Sequence, residues 1–286
     1  MSQPSLSGPA LIEQVAATHP GDDRLALWWL GQSGYLLRWH DLTIVVDPFL
    51  SPRHAEISPD GDEGERLMAP PFAPADLTFC DLVMVTHQHA DHFDPEAVPA
   101  LLAASPDALL LVPAPLADYA ADELRIADER LVPIRDGELF ELRGLRVQAV
   151  AAAHDQLAVD EEGNTAHLSF VLQREPFSLL FGGDTVAYAG QEERLRPFAP
   201  QVACLPISGR SAARQSRGLK GNLTIAEAAR LAAGIGAEVV IPNHYGMFAA
   251  DTTEVAAFAS HVAASYPKLR AVVLEPAARW YYPEPS

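Results

Sequence analysis

Cysteine is scarce. The 286 residues include two, Cys80 and Cys204. Two thiols cannot build a disulfide framework or a cysteine-based metal site. Each lies in or just before an apolar run, so buried free thiols are expected. Positive charge is also short: 20 Lys and Arg stand against 38 Asp and Glu, a formal net charge of −18. Such a surface repels nucleic-acid backbones and anionic membranes, so neither is expected as a partner. No apolar run approaches the roughly 20 residues of a membrane span. Met1 to Gly21 shows no basic stretch followed by an apolar one. No secretory signal is therefore read, and a cytoplasmic protein is expected. With 49% hydrophobic and 20% charged residues, the composition is globular rather than disordered. The length suffices for one large core or two fused ones.

Chemistry is concentrated in Thr86-His87-Gln88-His89-Ala90-Asp91-His92, which holds three imidazoles and a carboxylate in seven residues. The preceding run, Asp81 to Thr86, is short, apolar and β-rich, as in a buried strand. Asp94 and Pro95 follow, a plausible N-cap and first helical residue. The histidines thus fall in a tight loop at the C-terminal end of a strand. Imidazole and carboxylate together suit Zn, Fe or Mn. Lone histidines usually serve as surface or core residues, but that explanation strains against a cluster this dense.

This loop resembles the His-x-His-x-Asp-His signature of the metallo-β-lactamase superfamily. The resemblance implies a later histidine, then an aspartate, then a last histidine, each at a strand end. The chain supplies them in order. An amphipathic helix over Pro9 to His19 comes first, within an N-terminal extension (1–24) packed on a single domain (1–286). Strands at 25–30, 35–38 and 43–46 form a meander punctuated by Gly31 and Gly34 and closed by Asp47-Pro48. Trp28 and Trp29 are adjacent and so face opposite sides of their strand, both as packing residues. Ser51 to Asp76 is irregular, acidic and proline-rich: either a lid over the site or a solvated loop, with His54 exposed. Further strands are expected at 108–112, 131–134, 138–142 and 145–150, with a helix at 116–124. The strand at 145–150 runs through three alanines into His154. Strands at 167–172 and 178–181 lead to Gly182-Gly183-Asp184, where the glycines permit a sharp turn. A strand at 201–207, a helix at 224–234 opened by the capping box Thr224/Glu227, and a strand at 238–241 lead to His244. A helix at 251–265 and a strand at 271–274 end the pattern. His19, His40 and His261 lack sequence partners and are read as surface residues.

The two β-then-α sets, divided near Asp184, match the α/β class and the four-layer αβ/βα sandwich that the resemblance implies. The flanks, Trp28 to Gly34, Val46-Asp47-Pro48 and Val240 to Gly246, look like the L-ascorbate-6-phosphate lactonase-like branch. The resemblance further implies two divalent ions, Zn first, with Mn or Fe as alternatives. His87, His89 and His154 would hold one, Asp91, His92 and His244 the other, and Asp184 would bridge. Ions roughly 3.5–4 Å apart activate a shared water for attack on an ester carbonyl or phosphorus. Asp91 would also receive a proton. A metal-dependent hydrolase of a lactone, ester or phosphodiester is thereby implied, acting on a small molecule, a phosphorylated one among the candidates.

Other roles stay open at this level. Asp47 either starts a turn or orients a metal-binding histidine. Tyr245 and His167 either touch substrate or satisfy buried hydrogen bonds. Arg210, Arg214, Arg217 and Lys220 crowd four cations into residues 210–220. They either solvate a loop or capture an anionic substrate group, Arg210 and Arg214 foremost. An iron thiol oxygenase on the same ligands and a silent metal-binding protein are the competing function classes. Assembly into a homo-oligomer is compatible with the sequence.

Overall fold

Three strands, β1 (Leu25–Gly31), β2 (Gly34–Trp39) and β3 (Leu42–Val46), are buried along their whole length in the computed structural model. It describes residues 3–52, 66–210, 216, 221–248 and 253–284. Contacts divide the chain into two units. Described residues of Met1–Ala55, Arg66–Pro133 and Leu274–Ser286 make the first, and those of Ile134–Val273 the second.

The first unit is built on a seven-stranded sheet. Besides β1–β3 it contains β4 (Leu82–Met84), β5 (Leu109–Pro113), β6 (Leu131–Ile134) and a late strand; in chain order that strand is β14 (Arg279–Tyr282). The spatial order is β14-β1-β2-β3-β4-β5-β6. β1, β2 and β3 pair antiparallel, whereas β3, β4 and β5 are parallel. β1, β3 and β4 therefore run the same way and end on one edge of the sheet. Gln32, Asp47 and the histidine loop all follow those ends.

Helix α1 (Gly8–Ala16) has a proline in its first turn and sends Leu11 and Val15, one helical turn apart, into the core of this unit. The Trp28 indole, also in that core, donates to Gln14 Oε1 at 2.9 Å. Replacing so large a buried side chain by alanine typically costs about 3–5 kcal/mol. Helix α2 (Ala97–Ala104) contributes Ala97, Val98, Leu101 and Leu102 to the same core. Its start is capped by Asp94, whose Oδ1 accepts from the Glu96 and Ala97 amides at 3.0 Å each.

The second unit carries the other seven-stranded sheet. Its strands are β7 (Leu139–Leu142), β8 (Leu145–Ala151), β9 (Leu168–Arg174), β10 (Phe177–Phe181), β11 (Val202–Pro206), β12 (Val239–Asn243) and β13 (Arg270–Ala271). The order is β13-β12-β11-β10-β9-β8-β7. β8, β9 and β10 are antiparallel, and β10, β11, β12 and β13 are parallel. β8, β10 and β12 thus share a direction, and His154, Asp184 and His244 follow their ends on one edge. Helices α3 (Gln191–Leu195), α4 (Ile225–Gly234) and α5 (Val255–Ser265) complete this unit. The capping box expected at Thr224 and Glu227 opens α4 with both reciprocal bonds formed.

The structure departs from the sequence expectations at several points. Residues 116–124 are not one α-helix but a 3₁₀ turn at Ala114–Leu116 and a wider π turn at Tyr119–Glu123. The sheets divide between β6 and β7 rather than near Asp184. The last strand is Arg279–Tyr282, which pairs antiparallel with β1; the strand expected at 271–274 shrinks to Arg270–Ala271. His40 is not a surface residue: its ring is 15% exposed, with Nδ1 2.7 Å from Asp22 Oδ1. His261 is half-buried, 6.3 Å from the Tyr266 ring between centroids. Of the segment expected as a lid, 53–65, with His54, lie outside the described residues. Phe72 is packed in the first core, and Arg66 donates to the carbonyls of Phe49, Ser51 and Met68 at 2.7–3.0 Å. Both cysteines are buried, and burial pushes the Cys80 thiol up to about 12. Among the described residues no helix is long and apolar enough to cross a membrane.

Candidate metal centre

In the first unit Asp47 is the hub. It leaves β3 in the left-handed region, with φ of 43°, which few non-glycine residues adopt. Its Oδ1 accepts from the Thr86 amide at 2.8 Å and its Oδ2 from the Thr86 hydroxyl at 2.7 Å. His92 Nδ1 lies 2.7 Å from the same Oδ2, so the imidazole donates there. The Thr86 hydroxyl proton is committed to Asp47, so its oxygen accepts, and His87 Nδ1 stands 3.1 Å away as the donor. These two contacts fix the tautomer of each neutral ring and turn Nε2 into its acceptor nitrogen. His87 Nε2 faces His89 Nδ1 at 3.0 Å, and His92 Nε2 lies 3.8 Å from Asp91 Oδ2. The His89 carbonyl accepts from the His92 and Phe93 amides at 2.9 and 2.7 Å, which closes the loop.

In the second unit the same device recurs. His154 Nδ1 donates to the Gly221 carbonyl at 3.2 Å, while the Gly221 amide donates to Asp155 Oδ1 at 3.1 Å. Two adjacent residues therefore hold Gly221 from both sides, through its carbonyl and its amide. His154 Nε2 lies 3.5 Å from Asp184 Oδ2, and His244 Nε2 lies 3.1 Å from that oxygen. Asp184 is 4% exposed and His244 3%. The sharp turn expected at Gly182-Gly183 is present. A Cβ on Gly182 would sit 3.2 Å from the Cys204 carbonyl, and Gly183 has φ of 59°. The strand ends are knitted together. Ala153 N donates to Thr185 Oγ1 at 3.2 Å, Val186 N to Ala153 O at 2.7 Å, and Thr185 N to Asn222 Oδ1 at 2.9 Å.

The donors within each unit suit a cation. Ligands about 2.0–2.1 Å from a tetrahedral Zn stand roughly 3.3 Å from one another. The separations of 3.0 Å for His87/His89, 3.5 Å for His154/Asp184 and 3.1 Å for His244/Asp184 lie close to that edge. All are nitrogen or carboxylate oxygen, the donor types of Zn, Mn and Fe sites.

A family model for the β-lactamase superfamily domain matches residues 43–245, most of the chain and the full span of these donors. The chain belongs to this superfamily. A UPF0173 metal-dependent hydrolase of Methanopyrus kandleri is 28% identical over 258 residues, covering 88% of this chain and 97% of the relative. Among solved structures, an isothiocyanate hydrolase from Delia radicum gut bacteria superposes with a TM-score of 0.69 at 16% identity, covering 89% and 98% of the two chains. CmlA, a diiron β-hydroxylase from Streptomyces venezuelae, gives 0.66 at 16% identity, covering 92% of this chain and 55% of its own. At such identities the superpositions establish the metallo-β-lactamase fold.

The remaining candidates have definite places. Arg210 is bound to Glu227 through Nη1 to Oε2 at 2.7 Å and Nη2 to Oε1 at 2.6 Å, and it also reaches the Asn222 carbonyl at 3.1 Å. Arg214, Arg217 and Lys220 lie outside the described residues. Tyr245 is buried, which pushes its phenol pKa up and keeps it protonated at neutral pH. The His167 ring is half-buried, its centroid 5.4 Å from that of His154. Sequence reasoning passed over Gln32, Thr86, Thr185, Gly221 and Asn222, the groups that hold the donors. None belongs to a metal-ligand residue type, and only topology brings them to the strand ends.

Proposed function

We propose that the chain is a metal-dependent hydrolase with a dinuclear centre. His87, His89 and His154 would hold one divalent ion, Asp91, His92 and His244 the other, and Asp184 both. The observation that carries the reading is the orientation of the imidazoles. His87, His92 and His154 are each pinned at Nδ1, by Thr86, Asp47 and Gly221, and each turns Nε2 toward another donor. A packing or hydrogen-bonding role has no use for that uniform arrangement, whereas metal ligation requires it.

A pair of divalent ions would supply a water of lowered pKa and polarise the attacked carbonyl or phosphoryl oxygen. The protein's own contribution is to aim the imidazoles by holding Nδ1, and to place the Asp91 carboxylate where it accepts a proton. The substrate class we favour is a lactone, ester or phosphodiester on a small anionic molecule, in line with the likeness to ascorbate-phosphate lactonase-like proteins. Arg210 does not support the anionic part, because its guanidinium is occupied by Glu227. Zn is the preferred metal, and a cytoplasmic setting remains our reading. No membrane or nucleic-acid partner is invoked.

The test is elemental analysis of the purified protein, together with a screen of lactones and phosphodiesters and an oxygen electrode. About two transition-metal ions per chain, with hydrolysis and no oxygen uptake, is the expected result. Iron with substrate-dependent oxygen consumption would replace hydrolysis by an oxygenase reading.

A further inference from the structure

Gln32 lies in the turn between β1 and β2 and is fully buried. Its backbone is left-handed, with φ of 49°. That conformation disfavours residues with a Cβ and is better tolerated by Gly or Asn. The turn does not need the glutamine side chain to close. The Gln32 carbonyl already accepts from the Trp29 indole at 2.9 Å. The turn is also pressed against Asp47: a Cβ on Gly34 would sit 3.1 Å from the Asp47 carbonyl. What the side chain does is reach Asp91. Gln32 Nε2 donates to Asp91 Oδ2 at 2.8 Å, between residues 59 apart in sequence.

Resting on the dinuclear reading above, we propose that Gln32 is a positioning residue for Asp91. Its amide holds the carboxylate in the orientation that lets Asp91 and His92 take an ion together. The chemistry of the donor matters. Asp91 is 17% exposed at the side chain, so without a tether its carboxylate rotates among several orientations. A lysine or arginine would tether it too, but would bring a positive charge that competes with the cation. The neutral amide fixes one oxygen and leaves the full negative charge for the metal. Gln32 stands to Asp91 as Asp47 stands to His92: both lie at the ends of co-directional strands in the first unit, and both accept a left-handed backbone to reach a donor.

Two variants separate this role from a structural one. Gln32→Asn suits the left-handed turn better than glutamine but is one methylene too short to reach Asp91. Gln32→Ala removes the amide outright. The full-length apo-protein is titrated with Zn²⁺ against a chromophoric chelator and with Co²⁺ by electronic absorption, alongside thermal melts. The wild type is expected to take its ions in two steps. In both variants one of the two steps should loosen by about 10–100-fold while the other stays within about threefold. The Gln32→Asn protein should melt no lower than the wild type. A variant of either kind that takes both ions within about threefold of wild type overturns the proposal while leaving the dinuclear reading intact. A wild-type chain that takes no second ion overturns both.

Discussion

Arg210 and Glu227 form a two-pronged ion pair, Nη1 donating to Oε2 at 2.7 Å and Nη2 to Oε1 at 2.6 Å. Glu227 also completes the capping box of α4, and the Arg210 stem lies over Gly221, the residue whose carbonyl holds His154. A Cβ on Gly221 would come within 2.8 Å of Arg210 Cβ. The pair therefore braces a histidine rather than presenting a free cation to substrate. Arg210→Ala and Glu227→Gln should each destabilise the protein, and a double-mutant cycle in urea should give a coupling of about 1 kcal/mol, since the pair is partly solvent-screened. KM should change alike for anionic and neutral substrates. A KM rise confined to anionic substrates would restore Arg210 as a substrate contact.

The same pair makes a prediction about acid. Hydrogen bonding from Arg210 lowers the Glu227 pKa from 4.5 to about 2, against a smaller opposing effect of burial. A carboxylate with a depressed folded pKa stabilises fully above its unfolded value and loses that contribution as pH falls through the folded one. The wild-type melting temperature should therefore fall between pH 4.5 and about 2 more steeply than that of Glu227→Gln. Parallel curves would show that the pair contributes nothing in solution.

Asp94 is fully buried and accepts four backbone amides. Oδ2 takes those of Leu50 and Ser51, at 3.1 and 2.7 Å, and Oδ1 those of Glu96 and Ala97. Removing such an acceptor strands buried N–H groups, each costing about 1–3 kcal/mol where water cannot reach. Asp94→Ala should lower stability by roughly 3 kcal/mol or more, as measured by chemical denaturation. A loss below about 1 kcal/mol would mean that the amides find other partners.

Asp47→Asn tests the histidine tether. The amide keeps the shape but weakens the charge-assisted bond to His92 Nδ1. Metal affinity should fall by about 10–100-fold, with far-ultraviolet circular dichroism unchanged. Unchanged affinity would reduce Asp47 to a turn residue.

The fold was readable where local chemistry was strong. Glycine-punctuated strands, the Thr224/Glu227 box and the donor-rich loop announced themselves. The sequence also ordered His87 through His244 at strand ends, which the topology gathers on one edge of each sheet. It did not announce β14, because Arg279-Trp280-Tyr281-Tyr282 becomes a strand only by pairing with β1, some 250 residues earlier. The 116–124 segment looked helical because its apolar spacing fits a helix, but it breaks into tighter and wider turns. The tethers were the least legible part. Gln32, Thr86 and Gly221 act through contacts that join sequence neighbours in one case and span dozens of residues in the others. Arg210 read as a free cation because its partner, Glu227, lies beyond the cluster it belongs to.

The central claim is a dinuclear centre spanned by Asp184, and the most direct measurement is metal stoichiometry of Asp184→Asn beside the wild type. An amide of the same shape carries no charge to offset two cations. The variant should keep its fold, fall from about two ions per chain to about one, and lose orders of magnitude in kcat. An Asp184→Asn protein that retains two ions and near-normal turnover would contradict the account.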